Sequence, residues 1–161
     1  MKWNPDKINF LLILMFALLF VACDKNRIYE ENRVVDKGIW NIDNRIRFET
    51  TISDTNLRYN VFLNVRNSMQ YPYSNIYLFL DTQFPDGRIA RDTIDCMLAD
   101  YDGRWLGTGV GSVKFNQFLF QQGVSFPQKG TYRFDIQQAM RVNDLIGIHD
   151  IGIRIEKESS R

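Results

Sequence analysis

A two-residue period of apolar side chains constrains the fold of this chain more than any other feature, and it runs from Gly38 almost to the C-terminus. In "RIRFETTI", residues 45–52, Ile46, Phe48 and Ile52 alternate with charged residues and threonine. Successive side chains of a β-strand point to opposite faces of the sheet, whereas a helix repeats every 3.6 residues or so. The period therefore predicts half-buried strands and an all-β fold.

Several later segments repeat this period. "NIYLFL", residues 75–80, is apolar on both faces, which predicts either a central strand or a strand with an aromatic outer surface. The residues expected on inner faces include Leu57, Tyr59, Val61, Leu63 and Val65, then Tyr132, Phe134 and Ile136, and finally Ile151, Ile153 and Ile155.

Turn-forming residues separate these segments. In "QFPDGRI", Pro85 and Gly87 suit the backbone of a tight turn and predict a hairpin. About eight strands at this spacing predict a single antiparallel β-sandwich, jelly-roll-like in arrangement. One segment, "DIQQAMRVND" at 135–144, has helical composition, and we expect one or two helical turns there.

The apolar run "FLLILMFALLFVA" ends at Ala22, directly before Cys23. A helix that crosses a bilayer needs roughly 20 apolar residues, so this run is short for a span. Lys2 and Lys7 precede it, which completes the pattern of an export signal. A small residue before a cysteine is typical of lipoprotein signals, so we predict removal of residues 1–22 and acylation of Cys23. Simple cleavage and an uncleaved anchor remain the alternatives.

The sequence thus predicts a signal peptide at 1–22, a lipidated N-terminus with a polar tether at 23–37, and a β-sandwich domain at 38–161. Eight of the fourteen residues from 24 to 37 are charged, which favours a solvated tether. For its second half, "YEENRVV", a first strand or a helical turn is the alternative. Two or more acyl chains on Cys23 give stable attachment to a membrane.

The balance of charges excludes one class of partner. The chain has 20 basic and 19 acidic side chains, and removal of residues 1–22 leaves 18 of each. Proteins that bind nucleic acid present a basic face to the phosphates, so no nucleic-acid partner is expected. If Cys23 is acylated, Cys96 remains as the other cysteine, and no intramolecular disulfide can form.

The sequence shows no strong catalytic or metal-binding pattern. His149 is the one histidine, and neither metal-ligand spacing nor a Gly-x-Ser-x-Gly motif occurs. An enzymatic alternative is a hydrolase that combines His149 with pairs of aspartates. "ADYDG" at 99–103 fits a tight turn better than a calcium loop, and strand-like residues after "WLGTGVGS" at 105–112 indicate close backbone approach rather than phosphate binding. We predict no enzyme activity, no cofactor and no metal.

Aromatic residues make up 14% of the chain, and several lie in expected loops or on outer faces. Trp40, Tyr101 and Trp105 form a candidate interaction surface, because exposed aromatic rings can bind sugars or a protein partner. Ordinary packing in the core and at its rim is the alternative for the same rings.

Three blocks resemble the gliding motility lipoprotein GldH family of the Bacteroidetes: "CDKNRIYEEN" with the following Trp40, "DTIDCMLADYDGRWLGTGVGS", and "FPQKGTYRFDIQQAMR…LIGIHDIGIRIEK". The resemblance implies an envelope lipoprotein that works with the gliding apparatus and the type IX secretion route, and we expect the outer membrane as its location. It carries one functional position to this chain, the acylated cysteine at Cys23. "DTI" also looks like an O-glycosylation acceptor of that phylum, with Thr93 as the site.

These observations predict a lipid-anchored, non-catalytic protein that supports gliding motility through contacts with gliding and secretion proteins of the envelope. Acyl chains would confine the domain to the membrane surface and raise its effective concentration for partners. A carbohydrate-binding sandwich is the alternative function. The sequence names no small-molecule ligand.

Overall fold

The computed structural model describes residues 25–159, so the expected signal peptide and Cys23 lie outside the described residues. Regular structure in this part consists of strands and one short 3₁₀ turn, Asp36–Gly38. The strands are β1 (Arg27–Val34), β2 (Ile39–Asn41), β3 (Ile46–Ile52), β4 (Tyr59–Ser68), β5 (Asn75–Gln83), β6 (Ile89–Met97), β7 (Val113–Val124), β8 (Gly130–Gln138), β9 (Asp144–Ile146) and β10 (Ile148–Lys157). The all-β prediction is confirmed. Residues 25–159 include no helix of the length and apolarity that a membrane crossing requires.

Eight of these strands form two antiparallel sheets of four strands each. The first sheet has the order β1-β10-β4-β7 and the second has the order β3-β8-β5-β6, while β2 and β9 form a separate ribbon. Both sheets join strands that are distant in sequence, and this interlocked order is that of a jelly roll. The predicted β-sandwich is therefore confirmed.

The sandwich has two ends, and each collects a different set of connections. The N-terminal end holds the start of β1, the end of β10 and the connections 53–58, 84–88 and 125–129. The opposite end, called the loop end below, holds the connections 69–74, 98–112 and 139–143 and the β2–β9 ribbon.

The core lies between the sheets and is built from the alternating residues. Val61, Leu63 and Val65 of β4 are buried, and they face the inner residues of the second sheet. Burial of one aliphatic or aromatic side chain contributes about 1.5–3 kcal/mol to stability, so the burial of these inward residues is the main contribution to the packing of the two sheets. The inner-face prediction is confirmed, with these residues fully buried: Tyr59, Val61, Leu63, Val65, Tyr132, Phe134, Ile136, Ile151, Ile153 and Ile155. Leu57 is half-buried against the same core.

Two local predictions of the second sheet are also confirmed. The segment 75–80 lies in β5, a central strand between β8 and β6, with the Tyr77 ring on its outer face. The turn between β5 and β6 is closed by a hydrogen bond from Gly87 N to Phe84 O at 2.9 Å. Gly87 has a φ of 86°, a value that glycine adopts without strain.

The predicted tether is wrong for residues 27–34, which form β1 at the edge of the first sheet. The charged residues of β1 form ion pairs within the folded domain. Glu30 accepts hydrogen bonds from Arg27 at 2.9 Å and from Arg154 of β10 at 3.0 Å. Because β10 supplies both a free edge and a matching charge, the alternative of a first strand is confirmed in place of a tether.

The predicted helical turns at 135–144 are wrong as well. Here β8 continues to Gln138, whose side chain is fully buried, and the chain then turns sharply. The Gln138 amide closes this turn, since its Nε2 donates to Val142 O at 2.8 Å and its Oε1 accepts from Met140 N at 2.8 Å. The inward alternation of Ile136 and Gln138 therefore outweighs the helical composition of the segment.

Candidate interaction surface

The connections at the loop end are tied to one another by backbone hydrogen bonds. Met69 N donates to Ser112 O at 2.8 Å, which joins the connection after β4 to the one before β7. Leu98 N donates to Ser74 O at 2.7 Å, and this bond joins the start of the long 98–112 connection to the start of β5. These bonds give the loop end a defined shape.

Tyr101 lies in the 98–112 connection at the loop end, and its side chain is 98% exposed. The turn beneath it is held by Asp100, whose Oδ1 accepts from Asp102 N at 3.0 Å and from Arg104 N at 2.9 Å. The backbone N–H of Arg104 is the main cause that keeps the pKa of Asp100 below its ordinary value. With Gly103 at a φ of 79°, the segment 99–103 is a tight turn, as predicted.

Trp105 occupies a different position from Tyr101. It is half-buried and packs against the core cluster, while an antiparallel bridge joins it to Ala99. The next residue, Leu106, donates its N–H to Leu98 O at 2.9 Å and leaves its side chain 55% exposed. Trp105 therefore supports the exposed loop and offers part of one ring to solvent.

Trp40 does not belong to this surface, so its prediction as an exposed aromatic is wrong. Its side chain is fully buried, and its indole Nε1 donates to Asn44 O at 2.7 Å. The cause is the short strand β2, which pairs with β9 and turns Trp40 inward while Ile39 and Asn41 face outward. The three candidate rings are thus separated into one exposed, one half-buried and one buried.

The glycine-rich segment contacts β7, as the prediction of close backbone approach required. A side chain at Gly107 would lie 2.8 Å from Phe115 O, and one at Gly109 would lie 2.6 Å from Val113 O. Thr108, between the two glycines, forms an antiparallel bridge with Phe115 through hydrogen bonds of 2.9 and 2.7 Å. The glycines let the loop lie directly on the start of β7.

Exposed apolar side chains at the loop end were missed by sequence reasoning. Val110 is fully exposed, and Met69 and Ile146 are each about half exposed. Their sequence signal is the presence of apolar residues inside turn-rich connections, where no strand period explains them. A concentration of apolar residues at one end of a molecule is typical of an interaction site.

Thr93 lies in β6, an edge strand of the second sheet, and its side chain is exposed. It is directly opposite Phe79 of β5 on the outer face of that sheet. This position leaves the hydroxyl accessible, and its O-glycosylation stays a prediction.

The enzymatic alternative combined His149 with pairs of aspartates. His149 is exposed on β10, and the following Asp150 is buried and accepts a hydrogen bond from Arg66 Nε at 2.5 Å. That bond raises the pKa of Arg66. Residues 25–159 contain no group of three or more His, Cys, Asp or Glu side chains placed to hold a metal ion.

Cys96 is fully buried on the inner face of β6. Burial is the main cause that raises the pKa of its thiol to about 12, with the charge of Asp95 as a second cause. A thiol with this pKa is unreactive at neutral pH, because the thiolate is the nucleophile. Cys96 is therefore a core residue.

Comparison with known proteins agrees with the sequence resemblance. A family model described as GldH lipoprotein matches residues 27–155, from the start of β1 to a point two residues before the end of β10. The chain is 36% identical to a gliding motility lipoprotein GldH homolog of Christiangramia forsetii, over 92% of this chain and 95% of that protein. It is 32% identical to the gliding motility lipoprotein GldH of Flavobacterium johnsoniae, over 91% and 95% of the two chains. This chain belongs to the GldH lipoprotein family.

Proposed function

We propose that this protein is a lipid-anchored, non-catalytic component of the cell envelope that supports gliding motility. Its two relatives are named as gliding motility lipoproteins, and their similarity extends over more than nine-tenths of each chain. Its role is to bring envelope proteins of the gliding and type IX secretion machinery together. The outer membrane is the proposed location.

The proposed anchor is only a few residues in sequence from the first strand of the domain. Three residues, 24–26, separate Cys23 from Arg27, the first residue of β1. An extended chain of this length reaches roughly 14 Å. An acylated Cys23 would therefore hold the N-terminal end of the sandwich against the lipid head groups, without the long tether that the charged residues had suggested.

The loop end then faces away from the membrane. Strands of nine or ten residues, such as β4 and β5, separate the two ends by roughly 30 Å. This places Tyr101 and the exposed edge of Trp105 on the side that envelope partners can approach. The exposed apolar loops lie at the end of the sandwich opposite the start of β1, and this observation carries the proposal.

Two features favour contact over chemistry as the basis of this role. Several carboxylates are held in ion pairs with arginines, such as Asp81 with Arg91 at 2.5 Å and Asp150 with Arg66. Confinement to a membrane surface raises the effective concentration of partners, so that a modest apolar patch is sufficient for assembly.

A Cys23→Ser variant tests the anchored role in a gliding bacterium. We expect it to leave the outer-membrane fraction of a density gradient and to abolish or strongly reduce movement over a surface. The matched control is Cys96→Ala, which removes the other cysteine without touching the anchor. A Cys23→Ser protein that stays in the outer-membrane fraction and supports normal movement would contradict the proposal.

The alternative function, carbohydrate binding, cannot use the Trp40 ring for sugar contact, because Trp40 is buried. It now depends on Tyr101 and the exposed part of Trp105. Binding on a glycan array that disappears in a Tyr101→Ser variant would favour this alternative over a protein partner.

A further inference from the structure

The open edge of β7 differs from the other sheet edges. Edge strands of stable proteins commonly carry charged residues, which discourage pairing with another chain. Four of eight residues are charged in β1, two of seven in β3 and three of nine in β6. In β7 the one charged residue among twelve is Lys114, at the loop end of the strand. The rest of β7, with the sequence "FNQFLFQQ", is an uncharged edge.

The chain itself already pairs with the first part of this edge. Both the N–H and the C=O of Phe115 bond to Thr108. Hydrogen-bonding groups of an antiparallel strand alternate between its two sides. The backbone groups of Gln117 and Leu119 therefore point to the same open side, and the backbone hydrogen bonds of the described residues include no partner for them there.

A cleft of about 470 Å³ lies beside this edge, between β7 of the first sheet and β6 of the second. Phe120, Phe126 and Phe134 line it. The small side chain of Ala90 occupies the inward position of β6 at this end of the strand and lines the cleft. Its volume is in the range of about 300–1,000 Å³ that ligand sites occupy.

Two charged side chains also line the cleft, Arg88 and Asp92, and Arg88 is already paired with Asp86 at 2.7 Å. Asp92 lies opposite Leu80 on the inward face of β6, and within residues 25–159 it makes no hydrogen bond or ion pair. Most other aspartates near the second sheet are paired, as Asp81 is with Arg91. A free carboxylate beside aromatic rings favours a ligand that has both an apolar group and a cation.

We infer that the open edge of β7 and this cleft bind an extended segment of a partner protein as an additional strand. The segment pairs with the backbone of Gln117 and Leu119, places one apolar side chain in the cleft and directs a lysine or arginine to Asp92. This is recognition by strand addition, in which backbone bonds give affinity and side-chain pockets give specificity. The inference deepens the proposed function and rests on it, since it supplies an assembly component with a second contact, on the side of the sandwich near its N-terminal end rather than at the loop end.

A second copy of this chain does not fit the site when both copies are anchored. Two β7 strands that pair antiparallel would place the two N-terminal ends at opposite ends of the dimer, and a single leaflet cannot hold both. A lipid acyl chain would fill the apolar cleft, but it would use neither the backbone of β7 nor the charge of Asp92. The observations therefore favour a segment of a different protein.

The test uses the acylated protein in nanodiscs of phosphatidylethanolamine and a phage library of random twelve-residue peptides. We expect enrichment of peptides in which apolar residues alternate and a lysine or arginine occupies one inward position. The selected peptides should bind roughly tenfold or more weakly to Asp92→Lys, which reverses the charge. They should lose a similar factor with Gln117→Pro, which removes an N–H that points away from β4.

Leu119→Lys is the second edge variant, because it places a charge on the edge without a change to the backbone. The matched control is Tyr77→Lys, which replaces a similarly exposed apolar side chain on the central strand β5. We expect the control to bind the peptides as the wild type does, and circular dichroism confirms that each variant is folded.

Three results would overturn the inference. They are enrichment of no peptide over empty nanodiscs, equal binding of the selected peptides to Asp92→Lys and both edge variants, and displacement of the peptides by palmitate alone. None of them concerns the anchor, which the Cys23→Ser experiment tests separately by location and movement.

Discussion

Replacement of Glu30 by glutamine tests whether β1 is part of the folded domain. The Glu30 carboxylate is 21% exposed and pairs with the 16% exposed Arg154 at 3.0 Å. It also accepts hydrogen bonds from Arg27 and from the buried Asn64. Glutamine keeps the shape of the side chain but removes its charge, while Arg154 retains a second partner in Glu156.

The expected cost is about 1.5–2 kcal/mol of unfolding free energy. One partly buried, charge-assisted hydrogen bond contributes about 1.5–3 kcal/mol, and the more exposed bond from Arg27 adds little because solvent screens it. The remaining pair with Glu156 reduces the loss. For a domain of this size the melting temperature should fall by about 5–8 °C.

The effect should also depend on pH. Partial burial acts to raise the pKa of Glu30, but the hydrogen bond from Arg27 and the charge of Arg154 outweigh it, so the folded-state pKa lies below its ordinary value of 4.5. A carboxylate with a lowered pKa contributes stability that is fully present above its unfolded pKa and is lost as the pH falls through the folded pKa. The difference between Glu30→Gln and the wild type should therefore be full at pH 7 and should narrow below pH 4.5.

Urea unfolding of residues 24–161, followed by circular dichroism at pH 7 and pH 3, measures both effects. The matched control is Glu49→Gln, whose ion pair with Arg133 is 49% and 39% exposed and should contribute about 0.5 kcal/mol or less. Equal stability of Glu30→Gln and Glu49→Gln at pH 7 would refute the reasoning, and residues 27–34 would then behave as the tether that their composition suggested.

Three further outcomes follow from burial and backbone geometry. Trp40→Ala should lower the unfolding free energy by about 3–5 kcal/mol in urea titrations, because it empties a fully buried position. A loss below 1 kcal/mol or so would place the ring at the surface. The Cys96 thiol, with its pKa raised to about 12, should resist iodoacetamide at pH 8 until urea unfolds the chain, so rapid labelling of native protein would contradict its burial. Gly147→Ala should destabilise by at least about 1–2 kcal/mol, since φ is 86° and the new Cβ would lie 2.9 Å from Tyr71 Cα; an unchanged melting temperature would exclude that contact.

The strands with long alternating patterns could be predicted because the alternation of apolar and polar residues follows the alternation of buried and exposed faces. From Val61 to Val65 every second residue is fully buried, and the turn at Pro85 and Gly87 follows from backbone preferences of the two residues. Such signals depend on neighbours in the sequence, so they need no knowledge of the fold.

Other features depend on contacts between distant segments and were therefore missed. The charged residues of β1 predicted a solvated tether. In the structure Glu30 instead pairs with Arg154, which lies 124 residues away in sequence. Trp40 lies in a strand of three residues, which is too short to show a period, and its burial depends on β9. The exposure of Tyr101 could be predicted from its turn, whereas the cleft beside Asp92 requires both sheets to be in place.

The central claim is that an anchored domain brings envelope proteins together, and an affinity pull-down from cross-linked envelopes tests it most directly. The bait is the acylated protein, with Cys23→Ser and Tyr101→Ser as comparisons and mass spectrometry as the readout. We predict that gliding or secretion proteins are enriched with the wild type and lost with Cys23→Ser. Recovery of glycans alone, or of the same proteins from the Cys23→Ser bait, would contradict the account.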